Sequence, residues 1–137
     1  MTTGYLLDTS ICVFFLRNQY GVAQRMKQLG QDKCFISDVT VAELMFGAYR
    51  SANVQKNLEL VKQFVAAVQV VPFAEGIDTY SREKARLWAE GTPVEDFDLL
   101  IAASAITRGL VMVTDNIKHF EHVRNIKIEN WIDRNPL

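Results

Sequence analysis

The chain has 137 residues, of which 49% are hydrophobic and 23% are charged, and its formal net charge is -1 at pH 7. This composition is typical of a folded globular domain, and the charge balance gives no overall indication of nucleic-acid binding, although a basic face could be hidden in the average. Because no apolar run is long enough to cross a bilayer and no signal peptide opens the chain, we expect a cytoplasmic protein with residues 1–137 in one domain.

The first half of the chain alternates short apolar runs with helical patterns. Tyr5–Leu7 and residues 34–36 are short apolar runs typical of buried strands. Thr9 or Ser10 could cap the helix that follows the first strand. Apolar residues then recur at helical spacing, which predicts helices at residues 11–16, 22–29, 39–49 and 53–68.

The second half continues the same alternation. Short apolar runs predict strands at residues 68–71, 110–113 and 126–128. Helical patterns cover residues 75–90, 96–108 and 117–122. Strands that alternate with helices indicate an α/β fold with a mostly parallel sheet and helices on both faces. In such sheets the functional site lies beyond the carboxyl ends of the strands.

Four acidic residues occupy positions near that edge. Asp8 directly follows the first strand, and Asp115 follows the strand at residues 110–113. Glu43 and Asp98 lie near the starts of two helices that leave the same edge. In a parallel sheet all four carboxylates could face one cleft.

A cleft lined by several carboxylates is unstable alone, because like charges repel and some of the groups would take up protons. A hard divalent cation removes this conflict. Mg²⁺ prefers oxygen ligands, and one or two carboxylates together with a substrate phosphate suit it. A cation held in this way lowers the pKa of a bound water, so the pattern indicates hydrolysis of a phosphodiester.

Each of these acids also has a purely structural explanation. Asp98 could complement the dipole at its helix N-terminus, and Asp8 could cap the first helix. Glu95 and Asp96 fit the same description as surface residues at a helix start. Glu43 fits it least, because its helix is otherwise apolar. On spacing alone, the structural and the metal-binding interpretations both stay open.

Several other polar and aromatic residues lie in the same segments of the sequence. His119 and His122 are expected to be surface residues, because a three-residue spacing without a third ligand is a weak zinc pattern. Ser10 and Thr114 are candidate hydroxyl groups that orient carboxylates. Trp88 is expected to pack on the apolar side of its helix.

Four sequence blocks carry a resemblance to a known family. They are LDTS at residues 7–10, ISDVTVAEL at 36–44 with Gly47-Ala48, DLLIAA at 98–103, and LVMVTDN at 110–116 with Phe120. In this order and at these intervals they resemble the PIN-domain ribonucleases, and among them the VapC-type toxins of bacterial toxin–antitoxin pairs. The similarity covers essentially the whole chain.

This resemblance implies a PIN-like three-layer fold and an endoribonuclease that depends on Mg²⁺ or Mn²⁺. Asp8, Glu43 and Asp98 match the core acids of the family, with Asp8 and Asp98 as the expected metal ligands. The family's fourth acidic position aligns with Asn116, so Asp115, the residue just before it, is the candidate for the fourth catalytic acid.

The resemblance also implies partners and a biological role. The expected partners are a small VapB-like antitoxin, an RNA substrate and a second copy of the chain in a homodimer. Residues 39–68 are the candidate region for antitoxin contact. Two alternatives are a PIN-like nuclease of RNA maturation without a toxin role, and a non-catalytic binding module. A haloacid-dehalogenase-like phosphatase is disfavoured because residue 10 is Ser10 and not the second aspartate of that chemistry.

Overall fold

A parallel sheet forms the centre of the computed structural model, which describes residues 3–132 and Arg134. Within these residues the strands are β1 (Tyr5–Leu7), β2 (Cys34–Ser37), β3 (Gln69–Val71), β4 (Val111–Val113) and β5 (Lys127–Glu129). They lie in the order β3-β2-β1-β4-β5, and every pairing between neighbours is parallel. The predicted α/β class with a mostly parallel sheet is therefore confirmed.

The helices connect these strands as the sequence predicts. Their bounds are α1 (Thr9–Leu16), α2 (Val22–Leu29), α3 (Asp38–Tyr49), α4 (Val54–Ala67), α5 (Ile77–Ala89) and α6 (Asp96–Arg108). Short 3₁₀ turns lie at Gln31–Lys33, Phe73–Gly76 and Ile117–Phe120. The last of these corrects one prediction, because residues 117–122 form a single 3₁₀ turn followed by a loop and not a helix.

Two apolar clusters, one on each face of the sheet, make up the core. Side chains alternate between the faces of a strand, so Leu6 and the adjacent Leu7 belong to different clusters. Residues of α1 to α4 dominate the cluster around Leu7, and residues of α5 and α6 dominate the cluster around Leu6. The result is a three-layer arrangement in which the sheet is covered on both sides.

The register of the sheet determines which residues leave it together. Leu7 pairs with Val113, so the residues that follow β1 and β4 emerge side by side. The backbone N–H of Asp8 donates to the carbonyl of Val113 at 3.0 Å and extends this pairing by one step. The carboxyl edge of the sheet is therefore well defined at Asp8 and Thr114.

Two glycines fix the placement of α6, the helix that begins beside this edge. Gly109 ends it in the left-handed conformation, with φ of 67°. Gly76 lies so close to the helix that a Cβ there would be 3.1 Å from the carbonyl carbon of Ala103. A side chain at this position would require the backbone of α6 to shift by a few tenths of an ångström.

The two tryptophans have opposite environments. Trp131 is buried and packs against the ring of Tyr5, with centroids 5.7 Å apart. Trp88 is 71% exposed, so the expectation that it packs on the inner side of α5 is wrong. The inner side of α5 carries Tyr80, Glu83 and Leu87, which are spaced by one helical turn, and Trp88 lies about 100° away from Leu87.

Two further features complete the description of the fold. Cys12 and Cys34 are both buried and free. Among the helices in the described part of the chain, none combines the length and the apolar character that crossing a membrane requires.

Candidate active site

Asp8 is the most buried acid of the carboxyl edge, with 8% of its surface exposed. Its Oδ1 accepts hydrogen bonds from the backbone N–H of Ile11 at 3.0 Å and from Ser10 Oγ at 2.7 Å. Asp8 is therefore the N-cap of α1, and the alternative prediction of Thr9 or Ser10 as the cap is wrong. The structural explanation offered for Asp8 is correct, and the cap uses only one of its two carboxylate oxygens.

The environment of Asp8 raises its pKa above the usual value of an aspartate. The largest cause is burial, which disfavours the charged form. Hydrogen bonds from Thr114, Ile11 and Ser10 act in the opposite direction, and the nearby charge of Asp98 raises the pKa further. Ser10 and Thr114 thus orient the carboxylate as the sequence predicts.

Glu43 reaches the same region from the second turn of α3. Its Oε1 accepts a hydrogen bond of 2.6 Å from Thr9 Oγ1, at the start of α1. Burial is again the main cause of a raised pKa, and the Thr9 hydrogen bond opposes it. The charges of Asp98, Glu95 and Asp8 raise the pKa of Glu43 further.

Asp98 lies in the first turn of α6 and completes the group. Its Oδ2 is 2.9 Å from Nε2 of His119, and each of the two side chains is 35% exposed. The charge of Asp98 raises the pKa of both Asp8 and Glu43. The structure therefore brings Asp8, Glu43 and Asp98 close enough for their charges to interact.

Asp115 has a different environment. Its carboxylate makes a two-point ion pair with Arg134, and the guanidinium of Arg134 lies 5.4 Å from the centre of the Tyr20 ring. The shifted pKa values of Asp8 and Glu43 have no contribution from Asp115. The structure places Asp115 just after β4 in an ion pair with Arg134, and no hydrogen bond among the described residues joins it to the other three acids.

His119 is exposed, as predicted, but its contact with Asp98 is not predicted by the sequence. The zinc pattern with His122 gives no indication of this contact. The available signal was its position in the turn after β4, four residues beyond Asp115, where the chain passes the start of α6. This position indicates a site residue only if the carboxyl end of β4 is known to lie beside the N-terminus of α6.

The donor set of this edge suits a hard divalent cation. The carboxylates of Asp8, Glu43 and Asp98 repel one another, and oxygen ligands of this kind suit such a cation. Hydroxyl groups orient the carboxylates of Asp8 and Glu43. Within residues 3–132 and Arg134, no group of three or more His, Cys, Asp or Glu side chains is arranged so that it could hold a metal ion. Thr9, Ser10 and His119 each hold one oxygen of one of the three carboxylates, and ligation of one cation by all three acids would require the acids to move closer together.

A parallel three-layer fold with clustered acids at its carboxyl edge defines an α/β protein with a candidate acidic active site. A search with family models gives a match to the PIN domain over residues 5–126. The chain therefore belongs to the PIN-domain family, as its sequence blocks predict.

Similar proteins of known name extend this finding. The tRNA(fMet)-specific endonuclease VapC of Shigella flexneri is 36% identical over 128 residues, which cover 93% of this chain and 97% of that protein. Ribonuclease VapC2 of Haemophilus influenzae is 30% identical, with 93% and 98% covered. The chain is thus similar to VapC ribonucleases over nearly their whole length, which confirms the predicted VapC-type resemblance.

Solved structures agree with the sequence comparison. DNA-bound VapBC from Salmonella typhimurium contains a chain with a TM-score of 0.88 and 34% identity, covering 94% of this chain and 98% of that one. VapBC2 from Rickettsia felis, bound to a DNA fragment from its promoter, gives a TM-score of 0.85 and 29% identity, with 93% and 98% covered. Both are complexes of a VapC chain with its VapB partner.

Proposed function

We propose that this chain is the toxin of a type II toxin–antitoxin pair and hydrolyses RNA phosphodiester bonds as a Mg²⁺- or Mn²⁺-dependent endoribonuclease. The observation that carries the proposal is the juxtaposition of Asp8, Glu43 and Asp98 at one edge of the sheet, in a chain similar to VapC ribonucleases. Toxicity follows from cleavage of an RNA that growth requires, and the site of action is the cytoplasm, where such RNA is found.

In this proposal Asp8 and Asp98 are the cation ligands. Ile11 and Ser10 hold Oδ1 of Asp8, and Thr114 also contacts this carboxylate. Glu43 positions the cation or the attacking water, and the hydroxyl of Thr9 holds its carboxylate in place. The bound cation supplies a water of lowered pKa and neutralises the charge that develops on the phosphate. Asp115 remains the candidate for the fourth acid, and this role would require release from Arg134.

The proposed protein partner is a VapB-like antitoxin, because similar chains are found in VapBC complexes. A groove of about 230 Å³ between α1, α3 and α4 is the proposed place of contact. Apolar side chains line most of it, and Glu43 lies at one side. An apolar antitoxin segment that ends in a basic residue would fill the groove and pair with the acids. A homodimer of the toxin is part of the same proposal.

Cleavage by purified protein tests the enzymatic part. Because two similar proteins are named tRNA(fMet)-specific endonucleases, initiator tRNA is the first substrate to test. We expect cleavage with Mg²⁺ or Mn²⁺, none with EDTA, and none by Asp8→Asn in any of these conditions. The control is Asp38→Asn, because Asp38 caps the Phe73 backbone at 2.9 Å and an asparagine can accept the same bond. Cleavage by folded Asp8→Asn at the wild-type rate would remove the assignment.

Expression in cells tests the biological part. Growth arrest by the wild type, absent in Asp8→Asn, is expected from a toxin. Harmless expression of an active nuclease would favour the alternative role in RNA maturation. A folded protein that binds neither Mn²⁺ nor RNA would instead favour the non-catalytic binding module.

A further inference from the structure

His119 is held in a fixed orientation beside the acids. It belongs to the 3₁₀ turn Ile117–Phe120, and its backbone N–H donates to the carbonyl of Asn116 at 3.1 Å. The next residue, Phe120, is buried in the core with 2% exposure and anchors the turn. The imidazole meets the Phe120 ring edge-on, with centroids 5.1 Å apart and planes at 84°. Both the backbone and the ring of His119 are therefore restrained before its contact with Asp98 is considered.

The contact between His119 and Asp98 has a defined direction. Nε2 of His119 lies 2.9 Å from Oδ2 of Asp98, and because an ionised carboxylate only accepts hydrogen bonds, we assign Nε2 as the donor. Among the described residues, no hydrogen bond reaches the other oxygen of Asp98, Oδ1. The terminal torsion of an aspartate is soft and has broad minima. The His119 hydrogen bond is therefore what selects the orientation of this carboxylate.

We propose that His119 is a positioning residue of the acidic site, which fixes Oδ2 of Asp98 and leaves Oδ1 as the oxygen that Asp98 offers to a divalent cation. The proposal rests on the function proposed above and adds a specific role for one residue to it. A ligating carboxylate is commonly held by a hydrogen bond from a neighbouring group, and loss of such a partner typically reduces metal affinity about 10- to 100-fold. His119 supplies this bond across 21 residues of sequence, from a different element.

A purely structural role for His119 has to be distinguished from this. The same hydrogen bond also ties the turn after β4 to the start of α6, so its loss would reduce stability in either case. Metal affinity separates the two roles, because a tie between two elements has no reason to change the affinity of a protein that remains folded. A glutamine at position 119 can donate the same bond, whereas a leucine of similar volume cannot.

The first experiment measures Mn²⁺ binding to the metal-free protein by calorimetry. We expect His119→Leu to weaken binding about 10- to 100-fold, and His119→Gln to stay within about threefold of the wild type. The control is His122→Leu, because His122 is more than half exposed and contacts Glu121 at 3.4 Å. Wild-type affinity in folded His119→Leu would overturn the proposal, and so would an equal loss in His119→Gln and His119→Leu.

A second measurement requires no metal and no variant at position 119. Long-range ¹H–¹⁵N NMR spectra of the wild type report which ring nitrogen of each histidine is protonated. We expect His119 to hold its proton on Nε2, and Asp98→Asn to alter the His119 signals while those of His122 stay unchanged. His119 signals that ignore the Asp98 substitution would overturn the proposal even if His119→Leu does not fold.

The same experiments separate this inference from the proposed function. If the wild type binds no Mn²⁺, the metal site itself fails, whatever His119 does. If the wild type binds Mn²⁺ and Asp98→Asn abolishes binding, while His119→Leu binds normally, only the positioning role fails.

Discussion

Thr9 Oγ1 donates a hydrogen bond of 2.6 Å to Glu43 Oε1 and so joins the first residue of α1 to an acid 34 positions later. The same hydroxyl lies 3.0 Å from Oγ1 of Thr40, which is fully buried. Because a hydroxyl has one proton and Thr9 gives it to Glu43, Thr40 is the donor in the second contact. The two threonines form a directed chain that ends on the carboxylate of Glu43.

Replacing Thr9 by valine tests this chain. The variant keeps the shape of the side chain but removes the main influence that lowers the pKa of Glu43. Hydrogen bonds to charged groups contribute about 1.5–3 kcal/mol, so we expect a loss of kcat of about 10- to 150-fold. The acid limb of the pH–rate profile should also move to higher pH. Thr9→Ser is the matched control and should retain both values, whereas an unchanged profile in Thr9→Val would contradict the chain.

Replacing Asp8 by asparagine separates the two roles of this residue. Asparagine is as good an N-cap as aspartate, so α1 keeps its hydrogen bond from Ile11. The variant loses a buried charge, and we expect its free energy of unfolding at pH 7 to equal or exceed that of the wild type while cleavage is abolished. Asp8→Ala should lose cleavage and also about 1 kcal/mol through the missing cap. Urea denaturation measures both, and a strongly destabilised Asp8→Asn would contradict this account.

The raised pKa of Asp8 predicts how this comparison depends on pH. The folded state of the wild type binds the Asp8 proton more tightly than the unfolded state does, so this group stabilises the fold at low pH. That contribution is lost as the pH rises from about 3.9, the unfolded value, through the raised folded pKa. Asp8→Asn has no such titration.

We therefore expect the stability of Asp8→Asn to increase relative to the wild type as the pH rises through this window, with a constant difference above it. Urea unfolding of metal-free samples at a series of pH values measures the difference directly. The variant has to be compared with the wild type because Glu75, Glu83 and Asp96 have lowered pKa values in both proteins. These three groups stabilise the fold at higher pH and lose their effect as the pH falls, which is opposite to Asp8. A difference that shrinks with rising pH would contradict the raised pKa.

The sequence predicts the fold and three of the acids because both depend on local patterns. Asp8 was found because an apolar strand ends directly before it, and Asp98 because an acidic helix start precedes an apolar run. The contacts of His119 and Asp115 depend instead on which turns lie side by side across the carboxyl edge. The spacing of residues along the chain does not predict the contact of His119 with Asp98 or the ion pair of Arg134 with Asp115. Trp88 was misplaced because the inner side of α5 includes Glu83, a charged residue that Arg86 and the backbone of Arg124 satisfy.

Asp115 has a testable position in the site. Its carboxylate is already paired with Arg134, so we expect Asp115→Asn to reduce Mn²⁺ affinity by less than about tenfold, below the typical loss for a group that directly supports a metal. Asp98→Asn should abolish binding under the same conditions. Calorimetry of both variants measures the difference. An equally complete loss in Asp115→Asn would show that Asp115 leaves Arg134 and serves as a ligand, as the family resemblance implies.

Gly47 allows the antitoxin groove to be tested without touching the acids. It lies in the interior of α3 and lines the groove, and a Cβ built there would meet nothing within 4 Å. Because its φ is not positive, alanine fits the backbone, and we expect Gly47→Ala to stabilise the protein by about 0.5–1 kcal/mol through helix propensity.

A longer side chain at the same position should act differently on binding. We expect Gly47→Gln to be at least as stable as the wild type and to keep its cleavage rate, since glutamine is a better helix former than glycine and Glu43 is unchanged. Overpacking costs about 1–3 kcal/mol, so the affinity for an antitoxin co-expressed from the neighbouring reading frame should fall roughly 10- to 100-fold. Co-purification and growth rescue measure this loss. Full rescue of Gly47→Gln by the antitoxin would place the contact elsewhere, because a segment seated between α1, α3 and α4 has to pass over position 47.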